Sequence, residues 1–421
     1  MPRRLAVVTI IIVLALGLTA LGVFAYRNFR GAGPAVQPAP QDIVDLLENA
    51  NTQPTNTQAT NTTPTANANV STQVSHNATG FPLTLPAGFS ISVFAKLLVG
   101  ARDIAQDAEG NLWVSQLTQG TVTKLTVVDG KVTEKTTPFR NLSNPHGLVL
   151  DPDDANLLYI AEERRISKAR LNSDAPLEKL VDLPDGNNHN RRTLAIGSDK
   201  RLYVSIGSSC NVCNESNQQN ATVYSLNRDG SDFKVFATGL RNAAFLAFRP
   251  ADGKLWATEN GRDLLGDNLP PDEVNILEAG KFYGWPFCYG NNVADLNFSR
   301  NAATRCATAV PAHINLQAHS APLGLAFIPD TEAWPADMRG DLLVAYHGSW
   351  NRTQPTGYKV VRIDITADGS AGDTHDFISG WLTADGALGR PVDVLPTADG
   401  RLYITDDKAA VVYLVTTPSA K

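Results

Sequence analysis

The sequence lacks an excess of positive charge. Its 421 residues include 36 Lys and Arg against 42 Asp and Glu, which gives a formal net charge of -6. A nucleic-acid-binding chain usually carries a basic patch or stripe, and this composition provides no such footprint. Because 43% of the residues are apolar and only 19% are charged, the chain can bury a large core. We therefore expect a folded protein whose partner is a small molecule and not a nucleic acid.

The N-terminus carries a long uncharged apolar run. Residues 5–26 follow the basic start "MPRR" and are about long enough to span a bilayer. A cleaved signal peptide normally has a shorter apolar region and a small-x-small cleavage site, and neither is clear here. We expect residues 1–29 to form a transmembrane anchor that holds the folded domain outside the cytoplasm. A cleaved signal sequence is the alternative, and the chain is exported in both cases.

The next segment has few large apolar residues. Residues 30–79 are dominated by Asn, Thr, Pro, Ala and Gln, as in "NTQPTNTQATNTTPTANANVSTQ". Such a segment buries too little apolar surface to offset its ordering entropy. We therefore expect a flexible linker over residues 30–80 and a folded domain over residues 81–421.

Cysteine is scarce, with four residues in the chain. Cys210 and Cys213 have the C-x-x-C spacing, but Asn214 stands where c-type haem attachment requires His. A zinc site would need further Cys or His ligands, and the other cysteines are Cys288 and Cys306. In an exported protein two disulfides are the simplest interpretation, and a four-cysteine zinc site is the alternative. The sequence alone allows three pairings.

Helical patterns are also scarce, whereas a turn rich in Asp and Gly followed by an apolar-aromatic strand recurs six times. The copies are "DAEGNLWVSQ", "DPDDANLLYIAE", "GSDKRLYVSIG", "PADGKLWATEN", "MRGDLLVAYHG" and "TADGRLYITDD". Their central residues are Trp113, Tyr159, Tyr203, Trp256, Leu343 and Tyr403. The early copies are roughly 45 to 55 residues apart, close to the period of propeller blades, and the later copies contain insertions.

We therefore predict an all-β, six-bladed β-propeller, with a β-sandwich plus a second domain as the alternative. The first or last strand of the domain is expected to close the ring by pairing with the opposite terminus, because an open sheet edge favours aggregation.

Polar segments stand directly before or after the repeated strands. They are "NNHNRR", "TGLRNAAFLAF", "ENGRDLLGDNLPPDEVN", "YHGSWNR" and "GRPVDV". Propellers bind ligands with the loops at one end of the central channel. We therefore expect the His, Arg and Asn residues of these segments to converge on one mouth.

These segments resemble those of a known family, the soluble pyrroloquinoline-quinone-dependent sugar dehydrogenases of the glucose and sorbosone type. The likeness covers most of residues 81–421 and rests on "HNRRTL", "GLRN", "ENGRD", "PPDEVN", "FYGWPFCYG", "HGSWNR" and "GRPVDV". "FYGWP" after "DEVN" at this spacing is specific, whereas "GLRN" alone is weak. The chain is most similar to the sorbosone branch, in which "SSCNVC" and "HGSWNR" are also found.

The resemblance implies a quinoprotein oxidoreductase that oxidises an aldose or a sorbosone-like aldehyde by hydride transfer. It implies pyrroloquinoline quinone and Ca²⁺ as cofactors and an external quinone or cytochrome as electron acceptor. Two other classes stay open: a calcium-dependent lactonase or other hydrolase, and a non-catalytic binding module, because a propeller fold does not fix function.

Three catalytic residues follow from the resemblance. His189 matches the general base, and a neutral imidazole suits proton removal because its unperturbed pKa is about 6.5. Arg241 and Asn242 match the pair beside the quinone oxygens, where a guanidinium stabilises the negative charge that develops on hydride arrival. Outside this family context, His189 would more often be a structural loop residue and the Arg-Asn pair a turn with a surface charge.

The implied cofactor carries three carboxylates and therefore needs cations. Arg390 matches one of two family arginines that hold these carboxylates. The second position is occupied by Val392, and the family's lysine near the fifth copy is missing. We expect Arg352 or His347 to substitute for that lysine.

The resemblance also implies the calcium ligands and the cysteine pairing. Two consecutive backbone carbonyls, of Gly261 and Arg262, are expected to bind Ca²⁺. The nearby acidic residues could surround that site, form a separate calcium loop or be solvated turn residues; they are Asp263, Asp267, Asp272 and Glu273. The sorbosone branch pairs the cysteines as Cys210–Cys213 and Cys288–Cys306.

Overall fold

Six consecutive sheets of four or five strands surround a central channel in the computed structural model, which describes residues 74–173, 175–185 and 188–419. The first strand of each sheet packs against the first strands of the neighbouring sheets, and that of the sixth sheet packs against that of the first. The ring is therefore closed. This arrangement confirms the predicted all-β, six-bladed propeller.

The strands follow the chain with short connections in the first half of the ring. Two strands precede blade 1 and belong to blade 6: β1 (His76–Ala78) and β2 (Ser90–Ala95). Blade 1 contains β3 (Ala101–Gln106), β4 (Leu112–Gln116), β5 (Thr121–Val128) and β6 (Lys131–Phe139). Blade 2 contains β7 (Leu148–Leu150), β8 (Leu157–Glu162), β9 (Arg165–Arg170) and β10 (Glu178–Asp182). Blade 3 contains β11 (Leu194–Ile196), β12 (Leu202–Ile206), β13 (Thr222–Leu226) and β14 (Lys234–Thr238).

The second half of the ring contains the insertions. Blade 4 is formed by β15 (Ala243–Phe248), β16 (Leu255–Glu259), β17 (Asp272–Leu277) and β21 (Ile314–Leu316). Its insertion holds β18 (Lys281–Phe282), which joins blade 3, the ribbon of β19 (Cys288–Tyr289) and β20 (Val293–Ala294), and helix α1 (Ala302–Cys306). Blade 5 is formed by β22 (Pro322–Phe327), β23 (Leu342–Tyr346), β24 (Lys359–Ile365) and β25 (Ala371–Ile378). The ribbon of β26 (Leu382–Thr383) and β27 (Gly386–Ala387) leads to blade 6, formed by β28 (Pro391–Pro396), β29 (Arg401–Asp406) and β30 (Val411–Thr416).

The repeated sequence pattern forms the second strand of every blade, and the six central residues are all buried. In the first three blades the polar edge of the aromatic side chain donates a hydrogen bond to the Asp of the preceding turn. These pairs are Trp113 Nε1 to Asp107 at 2.9 Å, Tyr159 Oη to Asp151 at 3.0 Å and Tyr203 Oη to Asp199 at 2.7 Å. The Asp carboxylates also accept backbone N–H groups of the turn, as Asp107 does from Asn111. The repeated Asp and aromatic therefore stabilise the same turn.

The first and second strands of each blade are antiparallel and are joined by the Asp-rich or Gly-rich turn of the repeat, which in blade 5 is a longer loop over residues 328–341. Since that turn lies at one end of the pair, the start of the first strand and the end of the second strand lie at the other end. The predicted site segments occupy these positions: His189 precedes β11, Arg241 precedes β15, Gly261 follows β16 and Arg390 precedes β28. The topology therefore brings them to the same mouth of the channel.

The N-terminal strand closes the ring, as predicted. β2 pairs antiparallel with β30, with Ile91 opposite Val415, and β1 adds to β2 in parallel. The sheet therefore begins at His76, whereas we expected the domain to start at Phe81. The expected anchor over residues 1–29 lies outside the described residues, as does most of the expected linker over residues 30–80. In the part of the chain that the structure describes, no helix is long and apolar enough to cross a membrane.

The closure predicts a large stability cost at Ile91. This side chain is buried in the apolar cluster shared by blades 5 and 6. Truncation of a buried Ile to Ala costs about 2–5 kcal/mol, whereas an exposed strand position such as Val128 costs about 0.5 kcal/mol or less. We expect Ile91→Ala to lower the free energy of unfolding in urea by the larger amount and Val128→Ala by the smaller. Equal effects would mean that β2 does not belong to the cooperative fold.

Candidate active site

His189 lies in the segment that leads into blade 3. Its Nδ1 is 2.9 Å from the carbonyl oxygen of Ser208 and 2.8 Å from the Ser208 hydroxyl. A carbonyl can only accept, so Nδ1 carries the proton and the lone pair is on Nε2. Nε2 has no hydrogen-bond partner among the described residues. Burial, together with the charge of Arg241, holds the pKa of His189 well below its usual value. The imidazole is therefore neutral at pH 7 and able to accept a proton.

The backbone at His189 is held by a buried cation. Arg192 donates to the carbonyl oxygens of His189, Pro184 and Glu163, at 2.8, 2.9 and 3.1 Å. The carbonyls of His189 and Pro184 belong to the segment before β11, and that of Glu163 belongs to the turn between β8 and β9 of blade 2. Arg192 therefore ties the His189 segment to the preceding blade.

The loop after β12 positions both His189 and Arg241. The Ser208 hydroxyl that faces His189 donates to the carbonyl oxygen of Cys210 at 2.7 Å. Asn211 accepts from Arg241 through its backbone carbonyl and its side-chain oxygen, both at 2.9 Å. The Cys210–Cys213 disulfide closes this short loop. It is formed as the resemblance implied, as is Cys288–Cys306.

Arg241 is buried and its guanidinium makes four hydrogen bonds. Besides the two to Asn211, it donates to the carbonyl oxygen of Asn260 at 3.1 Å and pairs with Asp263 at 3.0 Å. Asn242 is held through its backbone N–H by Glu259 and through its side chain by Asn260. The positive charge of Arg241 is therefore fixed in position before any ligand binds.

Gly207 lies between His189 and Asn242. A Cβ at this glycine would lie 2.5 Å from Cβ of His189 and 3.3 Å from Oδ1 of Asn242. A side chain at position 207 would therefore push the two predicted site residues apart. Because Gly207 has no side chain, blades 3 and 4 can place His189 and Asn242 on either side of it.

The two predicted calcium-binding carbonyls have free oxygens. Neither the carbonyl of Gly261 nor that of Arg262 accepts a hydrogen bond from a described residue. The turn is held from below instead, because the Gly261 N–H donates to Asp272 at 2.9 Å and the Arg262 guanidinium pairs with Asp295 at 2.6 Å. Unsatisfied backbone oxygens at a mouth are suited to a hard cation.

The nearby acidic residues are not all solvated turn residues. Asp272 and Glu273 are buried on β17, where burial raises the pKa of Asp272 to about 6 and that of Glu273 to about 7. Glu273 accepts the Gly290 N–H at 2.6 Å. Asp263 pairs with Arg241, and the more exposed Asp267 accepts the Thr353 N–H at 3.1 Å. Asp272, Glu273 and Asp263 therefore support the site, and Asp267 connects two rim loops.

On the opposite side of the mouth, Arg390 is bound to the segment that contains His347. The Arg390 guanidinium donates to the carbonyl oxygens of His347 and Gly348 and lies over the Tyr358 ring. His347 Nε2 donates to Asp407 at 2.9 Å, and burial with the charge of Arg390 lowers its pKa to about 4. His347 is therefore neutral. Val392 is fully buried in the core between blades 4, 5 and 6 and does not face the channel.

Two further arginines lie in the channel. The resemblance to the family did not predict them as site residues. Arg102, at the start of β3, pairs with Asp407 at 2.9 Å. Burial opposes the ionisation of Asp407, but His347 and Arg102 outweigh it and hold the pKa of this carboxyl below its usual range. Arg191 is solvent-accessible within the channel and has no hydrogen bond or ion pair with any described residue. Enclosure in the channel and the nearby charge of Arg102 lower its pKa to about 10, so it stays charged at pH 7.

The remaining ionisable groups of the channel add little negative charge. Burial raises the pKa of Asp393 to about 7 and that of its neighbour Asp103 well above its usual value. His146 is fully enclosed, and burial with the charge of Arg102 keeps it neutral by lowering its pKa. Arg102, Arg191 and Arg390 therefore share this part of the channel with the ionised carboxylate of Asp407 and with the buried Asp406, which accepts the Arg390 N–H and whose pKa burial raises to about 6. The channel is suited to an anion.

Arg352 does not join these cations. Its guanidinium donates to the carbonyl oxygens of Asp267, Ala318 and Gln354 and to the Asn268 side chain. It therefore holds the rim loops of blades 4 and 5 together. The "HNRRTL" segment contained a signal for Arg191, since two adjacent arginines before a buried strand cannot both point into the core. Nothing in the sequence indicated that Arg102 would meet Asp407 from the other end of the chain.

Comparisons with known proteins identify relatives over the whole propeller. A family model described as TrAA12-like matches residues 83–418, which include every site residue described above. An uncharacterised protein of Borreliella burgdorferi is 31% identical over 353 residues, covering 79% of this chain and 90% of that protein. A pyrroloquinoline quinone-dependent pyranose dehydrogenase of Coprinopsis cinerea is 25% identical over 417 residues, covering 80% of this chain. The alignment covers 54% of the Coprinopsis enzyme, so this chain spans about half the length of that relative.

Solved structures show the same fold. The holo pyrroloquinoline-quinone domain of the Coprinopsis cinerea pyranose dehydrogenase matches with a TM-score of 0.68 and 22% identity, over 80% of this chain and 97% of that domain. A calcium structure of a Trichoderma reesei carbohydrate-active enzyme of family AA12 matches with a TM-score of 0.70 and 20% identity, over 80% of this chain and 98% of that one. Given the match over residues 83–418, the chain belongs to the TrAA12-like family.

Proposed function

We propose that this chain is a quinoprotein that oxidises a sugar with pyrroloquinoline quinone and Ca²⁺ bound in the channel mouth. The observation that carries the proposal is the state of His189, a neutral imidazole whose Nδ1–H is held by Ser208 and whose Nε2 has no partner in the described part of the chain. Support also comes from relatives whose names include a quinone-dependent pyranose dehydrogenase and from a calcium form of an AA12 enzyme. The substrate is an aldose or a sorbosone-like aldehyde.

The residues of the mouth fit a quinone with three carboxylates. Arg191 has no hydrogen-bond partner among the described residues and Arg390 uses its guanidinium on two carbonyls, so both have N–H groups left for carboxylate oxygens. The free carbonyls of Gly261 and Arg262 would supply oxygen ligands to Ca²⁺. The family arginine that Val392 replaces is compensated by charge from other blades, because Arg102 and Arg191 enter the same channel.

His189 acts as the base. When bound, the quinone supplies the electrophile that takes the hydride from the sugar carbon. The Nε2 lone pair of His189 accepts the hydroxyl proton, while the Nδ1–H stays on the Ser208 carbonyl and keeps the ring oriented. Arg241, fixed by four hydrogen bonds, presents positive charge without reorganisation, and Asn242 lies beside His189. The proton then leaves to solvent, and the electrons go to an external quinone or cytochrome.

The two disulfides support export, because such bonds persist in oxidising compartments. We propose that the apolar run of residues 5–26 anchors the exported propeller to the membrane through the linker. A cleaved signal would give the same exported domain without the anchor.

Substitution of His189 by Gln tests the base directly. We expect the purified chain, supplied with pyrroloquinoline quinone and Ca²⁺, to reduce an artificial acceptor when an aldose is added. His189→Gln should still bind the quinone but turn over at least about 100-fold more slowly, since a positioned base contributes about 10²–10⁴-fold. His375→Gln is the matched control, because this half-exposed histidine contacts Asp364 on the outside of blade 5. A hydrolase or a binding module would show no sugar-dependent reduction in any variant.

The pH profile tests the environment of the same residue. Since the pKa of His189 is held well below 6.5, the base is unprotonated and active above that lowered pKa and is lost as the pH falls through it. We expect kcat/KM to stay level from pH 8 to below pH 6.5 and to fall only in more acidic buffer. An acid limb at or above pH 6.5 would contradict the enclosed, cation-flanked position of His189.

The two disulfides should separate stability from activity. By the loop-entropy relation, opening the ring of sequence separation 3 costs about 2 kcal/mol and opening that of separation 18 costs about 3 kcal/mol. However, the Cys210–Cys213 loop carries the groups that hold His189 and Arg241. We expect Cys210→Ser/Cys213→Ser to lower kcat roughly tenfold or more through misplacement of these groups.

The Cys288→Ser/Cys306→Ser variant is the control for that experiment. It should lose more stability in thermal unfolding and keep near-normal kcat at temperatures where it is folded. The reverse order of the two effects would mean that the Cys210–Cys213 loop does not position the site.

A further inference from the structure

Trp350 differs from every other tryptophan in the chain. All six tryptophans lie within the described residues, and five of them are 7% exposed or less. Trp350 is 73% exposed. An indole in water forgoes the large burial energy of its apolar surface, so its exposure calls for an explanation.

The loop that carries Trp350 is anchored on both sides to the candidate site. Two residues before it, the Gly348 carbonyl accepts from Arg390. One residue after it, Asn351 donates to Asp263 at 2.7 Å, and Asp263 pairs with Arg241. Trp350 therefore stands on the rim between the two sides of the mouth.

A second exposed apolar residue lies next to this contact. Leu264 follows Asp263 directly and is 70% exposed. Its backbone is left-handed, with a φ of 71°, a conformation that is strained for any residue with a Cβ. The rim holds this shape because Arg352 and His319 bind the carbonyls of the same loop.

Two amide side chains contact Asp263, the residue that connects the Trp350 loop to Leu264. Asn211 and Asn351 both contact Asp263, and Oδ1 of Asn351 has no hydrogen-bond donor among the described residues. The cations of the rim already have partners within the protein, since Arg262 pairs with Asp295 and Arg352 donates to carbonyl oxygens. A flat apolar surface bordered by amides matches a pyranose ring, which has an apolar C–H face and hydroxyl groups at its edge.

We infer that Trp350 and Leu264 form a platform on which the ring of the sugar substrate stacks at the channel mouth. The inference rests on the proposed sugar oxidation and assigns the side chains that select a ring over an open-chain polyol. A protein electron acceptor docking on the same rim is the competing occupant, and the experiments below distinguish the two.

Chemical modification of Trp350 tests binding without turnover. With five tryptophans buried, N-bromosuccinimide should oxidise one tryptophan per chain quickly in the purified protein. We expect cellobiose at high concentration to slow that oxidation several-fold, and D-sorbitol at the same concentration to leave it unchanged. Equal rates with and without cellobiose would overturn the platform.

Steady-state kinetics test the same platform in the reconstituted enzyme. Trp350→Ala should raise KM for an aldopyranose roughly 5- to 30-fold with little change in kcat, because an aromatic contact contributes about 1–2 kcal/mol. Trp350→Phe should recover most of the loss. If Trp350→Ala instead raised KM for the electron acceptor and left that for the sugar unchanged, the rim would be an acceptor site and the inference would be wrong.

Leu264→Ala has a matched control in Leu97→Ala. Leu97 is 69% exposed with a φ of 61°, but it follows β2 on the outer side of blade 6. Both substitutions keep a Cβ and therefore leave the left-handed backbone strain in place, and Leu264→Ala alone should raise KM for the sugar, by about threefold. Failure of the proposed function looks different: cellobiose would still protect Trp350, but no variant would reduce an acceptor.

Discussion

The hairpin that begins each blade is the constraint on which the rest of the structure depends. Its Asp-Gly turn is fixed at one end of the propeller, in three blades by a hydrogen bond from the buried aromatic of the second strand. The other end of each hairpin must therefore face the opposite mouth. Six blades then place twelve strand ends around one channel, and chemistry can be added at those ends without disturbing the aromatic core. His189, Arg241, Gly261 and Arg390 come from four different strand ends of this kind.

The channel has a charge imbalance that the fold itself does not explain. Arg102 and Asp407 form a pair, but Arg390 is satisfied by carbonyls and Arg191 by nothing among the described residues. Confined like charges are costly, and enclosure in the channel together with the charges of Arg102 and Arg390 lowers the pKa of Arg191. Such unfavourable arrangements persist at functional sites, where a ligand offsets them. An anion with several carboxylates would neutralise the channel, whereas burial and the charges of Arg241, Arg191 and Arg192 hold the pKa of the adjacent His189 low.

The sequence predicted the architecture well because the propeller repeat is local. Trp113, Tyr159 and Tyr203 each stand a few residues after the Asp that they contact, so the repeated pattern alone indicated six second strands. We predicted that a terminal strand closes the propeller ring because an unpaired sheet edge favours aggregation, and β2 is that strand. The four motif-derived residues, His189, Arg241, Asn242 and Arg390, all reached the mouth, because the family motifs mark strand ends.

The parts of the site that could not be predicted depend on contacts between distant residues. Arg102 and Asp407 are 305 positions apart, and no local pattern indicates that they pair. Asp272 and Glu273 look like turn residues in "PPDEVN", but tertiary packing buries them on a strand. Arg352 was expected among the cofactor ligands because of its charge, whereas its hydrogen bonds to described residues all go to the rim loops. Charge and spacing identify candidates, and the ring closure decides which of them face the channel.

The central claim is that the excess positive charge of the mouth, above all that of Arg191, serves to hold an anionic quinone. Isothermal titration of pyrroloquinoline quinone into the purified chain measures this most directly. With Ca²⁺ present the account predicts one saturable site per chain, lost on chelation of Ca²⁺ and weakened about tenfold or more by Arg191→Gln without a fall in thermal stability. Absence of saturable binding, or equal affinity in the Arg191→Gln variant, would contradict it.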